Sequence, residues 1–406
     1  MQSRVVITGI GVVTSVGTGR EQFWESILAG RCGVSAVESF DTGGYVVHRG
    51  AEVKDFDAAA FLIRLDATRL GRAAQLAAAA ARLALGDAGL DADSLDPLRA
   101  GVSMGTTSGE PREVERFNDS YVRDELDKVG VEFIGRYPCH LISAHVAEEL
   151  GFAGPNVMIP NACAAGNYAI AHAFDQLRWG RADVMVAGGA DAFSRITYTG
   201  FTRLGAVAPE RCQPFDRNRR GMIPGEGAGV LVLEPFRHAR ARGARIYAEV
   251  AGYGLSCDAH HMTAAHPEGD GAARAMHRAL EESGMRPEDV DYISAHGTGT
   301  PTNDRLETVA VKRLFREHAY RVPMSSVKSM LGHAMGAAAA IEAAVCALAV
   351  HCDRIPPTIN LEEPDPECDL DYVPNRARAH RVRVAMNNAY AFGGNNASLI
   401  LKKCEV

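Results

Sequence analysis

Three residues stand where side-chain type and spacing suit chemistry: Cys163, His296 and His333. Cys163 lies in Asn161-Ala-Cys163-Ala-Ala-Gly166, after the short apolar stretch Asn156-Val-Met-Ile-Pro160 and before a run with helical spacing at Ile170, Ala173, Phe174 and Leu177. That order predicts a buried strand, a tight turn, and a helix beginning near Ala164. Unpaired N–H groups and the positive end of a helix dipole favour an anion at such a turn. A thiol there is expected to have a lowered pKa and a raised thiolate fraction. Ala162, Ala164, Ala165 and Gly166 are small enough to leave a substrate room at the sulfur. Taken alone, a cysteine is more often a small buried residue. The turn argues against that here, and the histidines argue harder.

His296 opens His-Gly-Thr-Gly-Thr300, and His333 closes Ser326-Val-Lys328-Ser-Met-Leu-Gly-His333. Most of the fourteen histidines should be surface or structural residues, but these two sit in glycine-rich turns at strand ends, where open α/β sheets place their sites. A cysteine can hold an acyl group as a thioester while a second substrate arrives. Two neutral imidazoles can each donate an N–H to one oxyanion, and a well-placed donor is worth roughly 3 kcal/mol at the barrier. A thioester enolate formed by loss of carbon dioxide needs such a pair. Lys328, flanked by Ser, Met and Leu, is expected to hold a nearby carboxylate such as Glu307 and not to be solvated. Thr298 and Thr300 could bind a carboxylate or a pantetheine arm, or cap the next helix.

What must position these residues is an α/β frame that repeats. Strand 4–9 is echoed by 245–252. The passage from Arg82 through Gly89 to Gly101-Val-Ser-Met-Gly-Thr106 is echoed by His277 through Gly284 to Tyr292-Ile-Ser-Ala-His-Gly-Thr298. Strand 156–160 with Cys163 and its helix is echoed by 323–328 with His333 and the small-residue helix 335–350. The chain therefore reads as two internally duplicated halves, 1–244 carrying the nucleophile and 245–406 carrying both histidines, with a seam in Arg240-Ala-Arg-Gly-Ala-Arg245. Each half alternates strands and helices, which predicts a mostly parallel sheet covered by helices. Further strands are predicted at 183–189, 228–233, 384–390 and 397–403. Helices are predicted over 20–30, 58–87 and, buried, 73–85. Gly9-Ile-Gly11 lacks the third glycine and the helix of a dinucleotide site, so a nicotinamide cofactor is rejected. The charged, glycine-rich loop 214–229 is read as support for the nucleophile turn.

Bulk properties exclude other classes. The formal charge of -7 gives no encouragement to nucleic-acid binding. Nine scattered cysteines without a CxxC pair suggest a reducing compartment, with neither a disulfide framework nor a metal site. The first residues run straight into a strand, so no secretory leader is expected, and no apolar run reaches the roughly 20 residues of a membrane span. A cytoplasmic enzyme is expected, without membrane or nucleic-acid partners.

The Cys163 turn, His296-Gly-Thr-Gly-Thr-Pro301, Asp304 with Glu307, Lys328 with Gly332-His333, and Phe392-Gly393-Gly394 fall in an order that identifies a family. From Arg4 to Lys403 the chain resembles the elongating β-ketoacyl-acyl-carrier-protein synthases of the thiolase-like superfamily, type II polyketide ketosynthases among them. The resemblance implies a five-layered αβαβα fold and decarboxylative condensation of a Cys163-bound acyl group with a malonyl carrier protein. It implies His296 and His333 as the decarboxylation and enolate pair, with Lys328 and Glu307 in support. The backbone N–H groups of Cys163 and Phe392 would form an oxyanion hole. Phe392 would gate acyl access, with Gly393, Gly394 and a second movable loop at 257–263, including His261, beside it. Relatives that start chains carry Asn where His333 stands, degradative thiolases carry a second cysteine near the C-terminus, and chain-length-setting partner subunits lack the nucleophile. No bound cofactor is implied: phosphopantetheine would arrive on an acyl carrier protein, docking on Arg64, Arg69, Arg72 and Arg203. A homodimer, or a heterodimer with a related chain, is expected. Asn395 after the glycine pair, Asn167 and Tyr168 after the nucleophile, and Thr106-Thr-Ser-Gly-Glu110-Pro-Arg112 depart from the housekeeping pattern. They fit a polyketide or polyene pathway at least as well as fatty-acid synthesis. The rival readings are a non-condensing, chain-length-setting partner subunit and a thioester hydrolase using Cys163 with one histidine.

Overall fold

The computed structural model describes residues 3–405. Its ten principal strands fall into two sets of five. The first set comprises β1 (Val5–Thr14), β2 (Ala100–Thr106), β3 (Asn156–Pro160), β4 (Val184–Asp191) and β5 (Gly227–Pro235). The second comprises β6 (Ala248–Cys257), β7 (Tyr292–Ser294), β8 (Met324–Ser325), β9 (Val384–Tyr390) and β10 (Asn395–Lys402). Across the sheet the order is β8-β7-β9-β10-β6 followed by β1-β5-β4-β2-β3, so each half repeats the order of the other about the seam. The seam is a short antiparallel ladder, Val5 opposite Val250 and Ile7 opposite Ala248. The duplication read from the three echoed segments is thus the architecture itself.

The halves are mixed and not mostly parallel. β2 pairs in parallel with β3 and β4, whereas β5 runs antiparallel to β4 and β1. The second half repeats this. The reason is connection length. Only residues 391–394 join β9 to β10, and a link that short can make a hairpin but not a parallel crossover.

The helices used below are α1 (Arg72–Asp87), α2 (Pro111–Val122), α3 (His140–Leu150), α4 (Ala165–Arg178), α5 (Arg195–Arg203), α6 (Asp270–Ser283), α7 (Pro301–Phe315) and α8 (Ala338–Cys352). α1 and α3 cover the outer face of the first sheet, and α6 and α7 that of the second. α4 and α8 lie between the sheets, which completes an αβαβα stack. α8 is apolar apart from Glu342 and buried at every position from Ala338 to Val350, as a helix walled by sheets on both sides must be. Met335–Cys352 has the composition of a membrane span, with mean hydropathy 1.7, yet 89% of it is buried inside the protein. The central helices approach so closely that a Cβ on Gly166 would lie 2.6 Å from the Ala340 nitrogen.

Two local readings differ. The region 58–87 is not one helix: single turns at Ala58–Ala60 and Ala67–Arg69, each capped by an aspartate (Asp57, Asp66), precede α1. β3 is an edge strand and half-exposed, because it pairs only with β2.

Candidate active site

Cys163 sits in a single helical turn, Ala162–Ala164, between β3 and α4. His333 sits in the matching turn of the second half, just before Met335–Ala337 and α8. Both turns hold a non-glycine residue at positive φ, Ala162 at 47° and Met335 at 51°. Such backbone is uncommon and concentrates at functional sites. The two turns pack against each other, and the third turn, Phe392–Gly394, packs on the cysteine turn. A Cβ on Gly336 would lie 2.6 Å from the Thr106 carbonyl carbon, so only glycine lets the histidine turn come this close to β2.

His296 follows β7. Its ring centroid lies 5.6 Å from that of His333, the planes nearly perpendicular at 84°, and 5.6 Å from the Tyr390 ring. Cys163, His296 and His333 are 6%, 4% and 2% exposed. His333 is clamped from both sides of its backbone: its N–H donates to the Ile223 carbonyl (2.7 Å) and its carbonyl accepts from Gly225 (2.9 Å). The Phe215 N–H donates to Asp304 (2.8 Å), and the Gly221 N–H to the Gly299 carbonyl (2.9 Å). Loop 214–229 therefore holds the histidine turns and not, as its position suggested, the nucleophile turn.

Lys328 is buried, and its partner is not Glu307 but Glu342, one turn into α8. Glu307 instead accepts the backbone N–H groups of His296 and Gly297, both at 2.8 Å. It fixes the histidine turn through the main chain, and burial pushes its carboxyl up to about 7. Burial raises Glu342 to about 7 as well, with Lys328 opposing it. Glu342 was missed, although a lone acid in Ala338-Ala-Ala-Ala-Ile-Glu342-Ala-Ala is a legible anomaly. The Lys328 charge reaches Cys163, His296, His333, Glu307 and Glu342 alike, which marks it as the electrostatic centre of the cluster.

Both histidines are held well below the ordinary imidazole range, first by burial and then by Lys328, so each is neutral. The cysteine departs from its expectation. Burial pushes the thiol up to about 12, against the pull of Lys328 and with a push from Asp191. Burial is the largest cause there, ahead of the Lys328 charge and of the backbone N–H that favours the thiolate.

Asp191, at the end of β4, is fully buried and a second residue the sequence reading missed. It accepts from Thr106 Oγ1 and from the backbone of Thr107, Ser108 and Gly336 at 2.8–3.0 Å, joining the end of β2 to the turn of His333. Asn167 and Asn387 make a buried pair that ties α4 to β9, Asn387 Nδ2 donating to Asn167 Oδ1 at 2.9 Å.

The other expected residues divide. Cys163 and Phe392 both lie in the first residues of one-turn helices, where N–H groups lack an intrahelical acceptor. The Phe392 ring is 37% exposed and 5.5 Å from Phe201. Gly393 donates to the Met262 carbonyl (2.8 Å), and the Gly394 carbonyl accepts from Asp258 (2.8 Å), so the 257–263 loop rests on this turn. His261 within it is exposed, its Nδ1 accepting from Thr263 and Ala264 in its own loop (3.1 Å each), and it does not join the histidine pair. The Thr298 and Thr300 hydroxyls bond each other at 2.9 Å, and neither caps α7. Arg64, Arg69 and Arg203 are exposed, Arg64 pairing with Asp93. Arg72 is turned inward onto Glu226 (2.9 Å).

In a duplicated αβαβα frame, a nucleophile turn from one half set against two histidine turns from the other defines a thiolase-like condensing enzyme. Residues 2–239 match the family described as Beta-ketoacyl synthase, N-terminal domain, and residues 247–362 its C-terminal domain. The chain belongs to the β-ketoacyl synthase family. It is 42% identical to the 3-oxoacyl-[acyl-carrier-protein] synthase 2 of Synechocystis sp. over 99% of this chain and 98% of that one. The solved ishigamide ketosynthase/chain length factor superposes with a TM-score of 0.96 at 43% identity, covering all of both chains. A type II PKS acyl-carrier protein in complex with its ketosynthase bound to the hexaketide gives 0.92 at 33%, again over all of both.

Proposed function

We propose that this chain is a 3-oxoacyl-[acyl-carrier-protein] synthase in which Cys163 carries the growing acyl group and the two histidines drive its extension. In the first half-reaction the Cys163 sulfur attacks an acyl-carrier thioester. A carbon–sulfur bond forms to Cys163, and the carrier's pantetheine leaves as a thiol with the cysteine proton. In the second, the malonyl-carrier thioester loses carbon dioxide, and the electron pair of the broken carbon–carbon bond becomes an enolate. The enolate carbon attacks the acyl carbon, and Cys163 leaves as a thiolate that regains a proton. His296 and His333 each donate an N–H to the enolate oxygen, a task for neutral imidazoles. The backbone N–H groups of Cys163 and Phe392 receive the tetrahedral oxyanion.

The single observation that carries this reading is the pair of buried, neutral imidazoles set almost perpendicular beside the cysteine turn. A hydrolase with one histidine has no use for the second. Phosphopantetheine arrives on the carrier, and no resident cofactor takes part. The carrier, an acidic helical bundle, docks on exposed arginines among Arg64, Arg69 and Arg203. The working assembly is a dimer in the cytoplasm. The full-length likeness to a ketosynthase/chain length factor, with the Thr106–Arg112 departures, favours a related chain as partner and a polyketide product. A chain-length-setting role for this chain itself is disfavoured by the presence of Cys163.

Intact mass of the enzyme and of a panel of acyl and malonyl carrier proteins tests the reading. Cys163→Ala should abolish acylation, whereas His333→Ala should keep acylation and lose the β-ketoacyl product. Both half-reactions surviving in His333→Ala would overturn the roles.

A further inference from the structure

A polar cavity of about 220 Å³ opens between the start of α1 and α2, and none of its lining residues belongs to the cysteine and histidine turns. Its wall carries four guanidiniums, Arg72, Arg112, Arg116 and Arg136, with Gln75 and a single carboxylate, Glu113. Glu113 is paired with Arg116 (2.6 Å), and behind the wall the buried Glu226 is shared by Arg72 (2.9 Å) and Arg112 (3.3 Å). Four guanidiniums against two carboxylates leave a surplus of two positive charges, and Arg136 has no carboxylate partner among the described residues. Glu110, the next acid, accepts the Ala73 and Ala74 N–H groups (3.1 and 2.7 Å), and burial raises it to about 8, so at neutral pH it supplies little negative charge. Arg112 is held below the usual guanidinium range by burial, with the like charge of Arg72 adding to it.

The unfilled donors point the same way. Arg136 donates Nε and Nη2 to the Arg69 and Thr68 carbonyls (3.3 and 2.9 Å), which fixes its plane and leaves Nη1 without a protein acceptor among the described residues. Arg116 bonds Glu113 through Nη1, leaving Nε and Nη2. Guanidinium forks match tetrahedral oxyanions in two-point contacts. The volume lies below that of clefts for drug-sized ligands, so the occupant is small. We propose that this arginine pocket binds a tetrahedral oxyanion of two negative charges, phosphate or the phosphate monoester of a small molecule. Bound there, it ties the start of α1 to α2 and to the segment around Arg136.

Calorimetric titration and thermal melting of the full-length protein test this, with inorganic phosphate, O-phosphoserine, and sodium chloride at matched ionic strength. The expected result is saturable phosphate binding, a melting temperature that rises with it, and no such rise with chloride. Preference for phosphoserine over phosphate would identify a monoester as the occupant, and the reverse would identify the free ion. Arg116→Gln with Arg136→Gln should weaken binding at least tenfold. Arg116→Gln alone, at a largely exposed side chain, should weaken it measurably with an unchanged melting temperature in phosphate-free buffer. Binding unchanged in both variants, or a response to phosphate no larger than to chloride, would overturn the proposal.

Discussion

Lys328 pulls the pKa of every neighbour down: it favours anions at Cys163, Glu307 and Glu342 and disfavours cations at His296 and His333. An imidazole whose pKa is depressed on folding binds fewer protons folded than unfolded. Its neutral form therefore contributes stability that is fully present above about pH 6.5, the unfolded value, and is lost as pH falls toward the depressed one. The same shift protects function. Malonyl decarboxylation should persist below pH 6, where ordinary histidines are charged, and its acid limb should move up in Lys328→Met. That variant also leaves Glu342 buried without its cation, an expected loss of about 3–5 kcal/mol in denaturant melts. For Cys163 the raised thiol sets a different expectation. Iodoacetamide labelling should keep accelerating with pH through 9 with no plateau near neutrality, and Asp191→Asn, which removes a charge that raises the thiol, should speed it. A plateau near pH 7 would show that the helix N-terminus does prevail over burial.

At the scale of elements, catalysis rests on how tightly three turns interlock. Gly336→Ala would put a methyl group 2.6 Å from the Thr106 and Thr107 backbone and 2.7 Å from Asp191. Overpacking there should lower stability by about 1–3 kcal/mol in a denaturant series. Because Gly336 follows His333 by three residues, condensation should suffer more than Cys163 acylation. The turns themselves were legible because each is a short string of small residues and glycine between a strand pattern and a helix pattern, repeated in two halves. Cys163, His296 and His333 therefore came together as the echo of segments required. What stayed hidden was pairing across sequence distance. Nothing local in Lys328 separates Glu307, four residues after Pro301-Thr-Asn303, from Glu342 inside α8, and only the stacking of α8 over the site decides it. The thiol was misjudged for a related reason: helix position is local, whereas burial depends on both sheets closing over the turn. The sequence reading placed no helix within 107–150, where α2 and α3 lie.

For the whole molecule, the pairing of β1 with β6 fuses the halves into one sheet, but it leaves β3 open at an edge. The same half exposes large apolar side chains through the segment from α2 to Tyr137: Val114, Tyr121, Val122, Val131 and Ile134 are 39%, 64%, 73%, 85% and 61% exposed. Phe117, Phe133 and Tyr137 form a stacked row there, with centroids 5.0 and 4.8 Å apart. An unpaired strand edge and a run of uncovered aromatic surface are where the dimer proposed above would form. The segment also begins at Thr106–Glu110, which Asp191 fastens to the turn of His333, so a partner seated on it would border the acyl site. Phe117→Glu with Val131→Glu should therefore yield a species of half the wild-type mass in sedimentation, because a charge buried in an interface without a counterion is costly. Those side chains lie outside the cysteine and histidine turns, so Cys163 should still be alkylated in the monomer, while turnover of long acyl chains should fall more than that of short ones. Sedimentation identical to wild type would mean that the aromatic row faces something other than a second subunit.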